Sequence, residues 1–166
     1  SLTEFSAELS KDIGRLEEEI LSLAGVRFNI ASPKQLGTVL FEHLQIDSQA
    51  KKTKSGQYPT NEEVLTRLAG KHPIIDKVIE IRGLKKLLNT YVDTLPGLIK
   101  QSTAKIHTHF NQAIASTGRL SSINPNLQNI PIREERGREI RRAFVPGGAE
   151  NIFLSADYSQ IELRIM

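Results

Sequence analysis

Apolar residues recur at steps of three and four through the first hundred or so positions and then abandon that period. Leu2, Phe5, Leu9, Ile13, Leu16, Ile20 and Leu23 form one stripe, the pattern of an amphipathic helix. Ser1 and Glu4 stand at capping-box spacing at its start and Gly25 at its end. Its other face carries Glu8, Asp12, Glu17, Glu18 and Glu19. The stripe is too short to argue for a coiled coil, so it predicts packing against a neighbouring helix. A second helix is announced by Ser32-Pro33-Lys34-Gln35, a cap, a proline at the first helical position and a glutamine to close the box. Leu36, Val39, Leu40 and Leu44 form its buried stripe. Thr60 and Glu63 box a short third helix ending at Gly70. After His72-Pro73, the residues Ile74, Val78, Ile81, Leu84, Leu88, Tyr91 and Leu95 predict a helix of about 22 residues, roughly 33 Å long. Pro96-Gly97 ends it, and its partner is expected to be the N-terminal helix.

From Lys105 the period shortens. Ile106, Thr108 and Phe110 alternate with His107, His109 and Asn111, which predicts a strand near 105–110. Ala143-Phe144-Val145 predicts a second strand over 141–145, and Pro146-Gly147-Gly148 a turn out of it. Ile152, Phe153, Leu154 and Ala156 form a run long enough for a buried strand over 151–157 and too short for a helix. Ser159, with Glu162 three residues on, opens a final helix in capping-box spacing. The expected class is α+β and predominantly helical, with a helical part over 1–104 and a strand-bearing part over 105–166.

Composition changes this picture little. An apolar fraction of 39% supports a core without being rich. The absence of cysteine excludes a disulfide scaffold and a thiolate metal site, and fits a reducing cytosol. No apolar run approaches ~18 residues, so no membrane span is expected. The acidic amphipathic start is unlike a signal peptide. A first residue that is not methionine, and a last residue four places after Glu162 within an expected helix, predict a piece of a longer protein. Charge is unevenly placed. Residues 1–50 carry four Lys/Arg against eight Asp/Glu, and the remainder eighteen against eleven. The later part therefore has the sign expected of a surface that faces something anionic.

Four stretches bear candidate chemistry. Lys51-Lys52-Thr53-Lys54-Ser55-Gly56-Gln57-Tyr58-Pro59 reads either as a solvated loop, which composition favours, or as a tip that touches phosphates. Arg82, Lys85, Lys86 and Asn89 form a basic patch on the long helix, which by itself is simply a wet face. His107 and His109, without cysteine or a third ligand nearby, read as surface residues rather than a metal site. The segment Thr117–Pro131 (TGRLSSINPNLQNIP) is crowded with amides and hydroxyls yet anchored by Ile123, Leu127 and Ile130. Uncharged donors there suit the minor-groove acceptors that every base pair presents. Arg133 to Arg142 follows, five arginines among three glutamates. At the end of the last apolar run stands Asp157, a position where a carboxylate is either a turn residue or a metal ligand.

The string DYSQIELR, Asp157 to Arg164, resembles motif A of the family A DNA polymerases. RGLKKLLNTYVDTLP (Arg82 to Pro96) resembles the family's long thumb helix, and HTHFNQAIASTGRLSSINPNLQNIP the passage from thumb to palm. RRAF and LSADYSQIELRIM resemble the first palm strands, and SPKQLGTVLFE the helical region leading into the thumb. The resemblance covers essentially the whole chain, with bacterial kin, a cytoplasmic setting and a monomer as its implications. It implies a thumb of long antiparallel helices over 1–104 and the start of a palm over 105–166. It implies a template-dependent nucleotidyl transfer from dNTP to a primer 3′-hydroxyl, with two Mg2+ ions, duplex primer–template DNA and dNTP as cofactors and partners. By position, Asp157 matches the aspartate that binds both ions, and Tyr158 the aromatic residue whose backbone carbonyl is also a ligand. Glu162 matches the residue closing against the ribose 2′ position. Gln160 joins Tyr158 and Glu162 at the dNTP site. Arg119 matches the arginine reaching the primer terminus through the minor groove, and Asn126, Gln128 and Asn129 match amides near the template–primer backbone. Arg82, Lys86 and the loop of Lys51, Lys52 and Lys54 match thumb positions that hold the duplex. The family's motifs B and C are not in this sequence. The rival reading is a non-catalytic duplex-binding helical module.

Overall fold

The computed structural model describes residues 2–132, 135–148 and 150–166. The chain divides into two compact units, Ser1–Gly97 and Leu98–Met166.

The first unit is helical. Helix α1 (Leu2–Ala24) buries Leu9, Ile13, Leu16, Ile20 and Ala24, the centre of the stripe read from sequence. The Ser1 half of its expected capping box lies outside the described residues. Helix α2 (Pro33–Thr38) is capped by Ser32, whose side chain accepts from the Gln35 N–H. Gln35 does not complete the box: its Oε1 accepts from Asn29 N–H at 2.7 Å, further back along the entering chain. A π-helical turn over Val39–His43 continues α2. The wider turn advances the buried face by one residue, so Phe41 is buried while Leu44 is only half-buried.

Helix α3 (Glu62–Leu68) is capped by Asn61, whose side chain accepts from Val64 N–H. The expected cap, Thr60, is a correction: it is buried, at 5% exposure, and turned to another partner described below. Helix α4 (Pro73–Leu87) is capped by His72, whose Nδ1 accepts from Ile74 N–H at 3.1 Å. The expected single helix to Leu95 instead passes through a π turn at Leu88–Val92 and a 3-10 turn at Leu95–Leu98. The turn again moves the buried set, to Leu87, Tyr91, Val92 and Leu95.

Helices α1 and α4 pack against each other antiparallel. Ser6 Oγ near the start of α1 donates to Asp93 Oδ1 at 2.8 Å, and Lys77 near the start of α4 pairs with Glu19. Lys85 Nζ meets Glu17 Oε1 at 2.6 Å between them. The hydrogen bond from Lys77 holds the Glu19 carboxyl below its usual range. The acidic face of α1 and part of the basic face of α4 thus answer each other.

The second unit holds a two-stranded antiparallel sheet, β1 (His109–Asn111) with β2 (Ser121–Ile123). His109 faces Ile123, and Asn111 faces Ser121. β1 overlaps the end of the strand expected near 105–110. The strand expected over 141–145 is a correction: residues up to Arg142 belong to helix α5 (Glu135–Arg142). Glutamate and arginine are good helix formers, and Ile140 supplies one fully buried anchor. Pro131 lies against Gly137 so closely that a Cβ there would stand 2.5 Å from the proline Cβ. Only glycine fits that position of α5.

The strand expected over 151–157 is the second correction. Those residues form no strand, and Ile152, Phe153 and Leu154 are 86%, 68% and 89% exposed. A strand exists by pairing its N–H and C=O groups with another strand, and none among the described residues lies beside this one. The final helix α6 (Ile161–Ile165) is present but short. Its cap is Gln160, in the left-handed region at φ 52°, without a side-chain cap hydrogen bond. The expected Ser159–Glu162 capping box therefore does not form.

Candidate functional site

In the first unit, the basic positions fall into two kinds. The turn at the loop tip is closed by Thr53 N–H to Gln57 O at 2.8 Å and Gly56 N–H to Thr53 O at 2.9 Å. Gly56 takes a φ of +75°, where a side chain would be strained. Below the tip, Tyr58 stacks obliquely on Phe41, ring centroids 5.0 Å apart, and presses on Gly37, where a Cβ would stand 3.0 Å from its own. Lys52 Nζ bonds Glu42 Oε1 at 2.8 Å and sits 5.2 Å over the Tyr58 ring. Lys51 and Lys54 are exposed.

Arg82 does not present a free guanidinium. Nη1 donates to the Thr60 carbonyl and Nη2 lies 3.3 Å from Thr60 Oγ1. Burial pulls its pKa below the usual value. Lys85 is turned to Glu17, whereas Lys86 on the next position of α4 is exposed.

In the second unit, the amide segment is knitted into itself. Gln128 Oε1 accepts from Ser122 N–H at 3.0 Å, and its Nε2 donates to Leu120 O at 3.1 Å. Asn126 Oδ1 accepts from Gln128 N–H at 3.0 Å. Ser122, fully buried, accepts from Leu127 N–H at 3.1 Å. Thr108 Oγ1 lies 2.7 Å from Ser122 Oγ and 2.8 Å from Pro125 O, tying β1 to the turn. The Asn124–Pro125 peptide is cis. Asn129 is exposed and also engaged. The amides thus shape the loop as well as offering donors. Sequence spacing could not reveal this, because their partners are backbone groups.

Two residues singled out far apart in sequence meet here. Arg119 Nη2 lies 3.4 Å from Glu162 Oε1, with side chains 77% and 72% exposed. Such an open pair is weak and readily exchanged for another partner. Asp157, Tyr158 and Gln160 stand exposed beside it in sequence, Tyr158 at 80%. Among the described residues no three histidine, aspartate or glutamate side chains gather as a metal site would need. Two divalent ions carry four positive charges and require several anionic ligands. The residues present do not fit such a pair by themselves.

The sequence model of DNA polymerase family A matches residues 1–166. DNA polymerase I of Synechocystis sp. is 53% identical over 99% of this chain and 17% of its own length. That of Geobacillus stearothermophilus is 52% identical, over 99% of this chain and 19% of its own. The chain spans about a fifth of the length of these relatives. Among solved structures, the POL domain of Pol1 from M. smegmatis, in complex with DNA primer-template and dNTP, superposes with a TM-score of 0.81. The identity is 43%, over 99% of this chain and 29% of that one.

Proposed function

The chain belongs to DNA polymerase family A, and on that premise we propose that it is the part of a template-directed DNA polymerase that grips duplex primer–template and brings motif A to the reacting end. One observation carries the reading: the run Asp157–Arg164 occurs within a family match that extends over residues 1–166, so the reading does not rest on those eight residues alone. The structural neighbour bound to primer-template and dNTP supports the choice of partners. The helical part over 1–104 then acts as thumb and 105–166 as the start of the palm, in the cytoplasm of a bacterium and as a monomer. No helix among the described residues is long and apolar enough to cross a membrane.

Family A DNA polymerases are generally metal-dependent. We assign Asp157, with the Tyr158 backbone carbonyl, as this chain's contribution to two Mg2+ ions whose other ligands lie elsewhere in the enzyme. The chemistry those ions supply is stabilisation of charge on the transferred phosphate. The residues' own work is different. Exposed Lys51, Lys54 and Lys86 meet duplex phosphates, which give affinity without reading sequence. Arg119 enters the minor groove at the primer terminus, and Asn126, Gln128 and Asn129 hold the loop that flanks it. Tyr158, Gln160 and Glu162 border the incoming nucleotide, with Glu162 against the ribose 2′ position.

The test is direct binding of the chain to labelled duplex DNA. Affinity is expected to fall steeply with salt, and joint neutralisation of Lys51, Lys54 and Lys86 to weaken it about equally for every sequence. Salt-insensitive or strongly sequence-dependent binding would count against the reading. For the sugar gate, Glu162→Ala in the whole polymerase is expected to relax discrimination against ribonucleotides roughly tenfold or more. Thermal stability of the 166-residue chain should not move with the same change, because the Glu162 side chain is 72% exposed there. Unchanged discrimination would reduce Glu162 to an ordinary helix residue.

A further inference from the structure

The side chains of the basic loop and of the basic helix face are not equivalent. Lys52 is drawn back from the tip by Glu42 at 2.8 Å and by the Tyr58 ring. Arg82 spends its guanidinium on the carbonyl and hydroxyl of Thr60, a residue only 5% exposed. Thr60 is the last residue of the loop before the Asn61 cap of α3. These two cations therefore hold the loop from its two flanks: Arg82 reaches from α4 to the buried Thr60, and Lys52 reaches back to the turn after α2 through a more open pair, its side chains 49% and 44% exposed. Lys51 and Lys54 lie on either side of Lys52 and point into solvent.

Resting on the duplex-binding reading above, we propose that Lys52 and Arg82 are positioning residues that pre-shape the 51–60 loop, while Lys51 and Lys54 make the phosphate contacts. The physical advantage is entropic. A lysine on a free loop must be ordered at the moment of binding, at an entropic cost for each immobilised side chain and for the backbone. A loop already held at Thr60, Tyr58 and Lys52 has lost that freedom on folding. In this division Lys52, whose charge is met by Glu42, and Arg82, whose donors are aimed at Thr60 rather than outward, make no direct phosphate contact and so contribute no counterion release.

Counterion release makes the two classes separable. For B-DNA, log Kobs falls against log salt with a slope of about −0.9 per neutralised phosphate. With a labelled duplex as probe, Lys51→Ala and Lys54→Ala are each expected to make the slope shallower by about 0.9. Lys52→Ala and Arg82→Gln are expected to lower affinity while leaving the slope where it was. Trypsin supplies the second readout, since it cuts after the loop lysines. Arg82→Gln and the exposed-site variant Glu42→Gln should each speed cleavage within 51–54 several-fold with helix content unchanged. A slope change for Lys52→Ala or Arg82→Gln equal to that for Lys51→Ala would overturn the division of roles. Unchanged cleavage in both Arg82→Gln and Glu42→Gln would overturn the anchoring. Absence of any salt-dependent binding by the unaltered chain would instead remove the duplex reading, and the phosphate half of this proposal with it.

Discussion

Asp157→Ala is expected to lower primer extension by the complete polymerase a thousandfold or so, while leaving the thermal unfolding of the 166-residue chain nearly unchanged. The two halves of the expectation have separate causes. A carboxylate that helps hold charge-stabilising ions is worth several kcal/mol to the reaction, and about 4 kcal/mol corresponds to roughly three orders of magnitude in rate. Stability is another matter. Asp157 lies in a stretch exposed from Asn151 to Met166, and it supports no described cluster of ligating side chains. Removing it uncovers no cavity and orphans no buried partner. The measurements are single-turnover primer extension by the complete polymerase and calorimetry of the 166-residue chain carrying the same change. Retention of more than a tenth of the rate would sink the metal assignment, and a large drop in melting temperature would show that Asp157 is a folding residue.

The second large effect is expected in the first unit. Ile81, at 1% exposure in the middle of α4, belongs to the buried face of that helix, which packs against α1. Ile81→Ala should destabilise that unit by about 2–5 kcal/mol, because the lost transfer energy is joined by a cavity that two long helices cannot collapse to fill. Domains of this size hold only about 5–15 kcal/mol in all, so the midpoint of urea unfolding should move visibly. Duplex binding below that midpoint should be nearly retained, since Ile81 is buried whereas Lys51, Lys54 and Lys86 lie at the surface. A loss under 1 kcal/mol would mean that the α1–α4 seam is not the core.

These two expectations also mark what the sequence could and could not convey. The α1 stripe was legible because a helix buries residues at its own local period, and Leu9 to Ile20 need no distant information to be read as one face. The partnership of α1 with α4 was legible from their matching apolar length. The π turns at Val39–His43 and Leu88–Val92 were not. An extra residue in a turn leaves no compositional trace, yet it brought Phe41 and Val92 inward. Thr60 and Glu63 have capping-box spacing, but a buried hydroxyl facing Arg82 outweighed it, and Asn61 took the cap. Strands were the least legible. Ser121-Ser122-Ile123 pairs with β1 without any apolar alternation, whereas Ile152-Phe153-Leu154 has the composition of a strand and no neighbour to pair with. At the site, Asp157 and Glu162 were matched residue by residue to motif A through the resemblance, and their roles are those proposed above. What could not be read was engagement: that Arg82 is tied to Thr60, Lys52 to Glu42, and Gln128 to the backbone of its own loop.

The uncovered Ile152-Phe153-Leu154 run has a consequence for how this chain behaves in a tube. Three consecutive large apolar residues with free backbone donors and acceptors form a template on which a second copy can add a strand. A net charge of +3 offers little long-range repulsion against that encounter, and salt weakens it further. The same salt that loosens a phosphate grip should therefore favour self-association through residues 152–154. Light scattering of the 166-residue chain is therefore expected to rise with concentration and with ionic strength, and to fall when Phe153 is replaced by a charged residue.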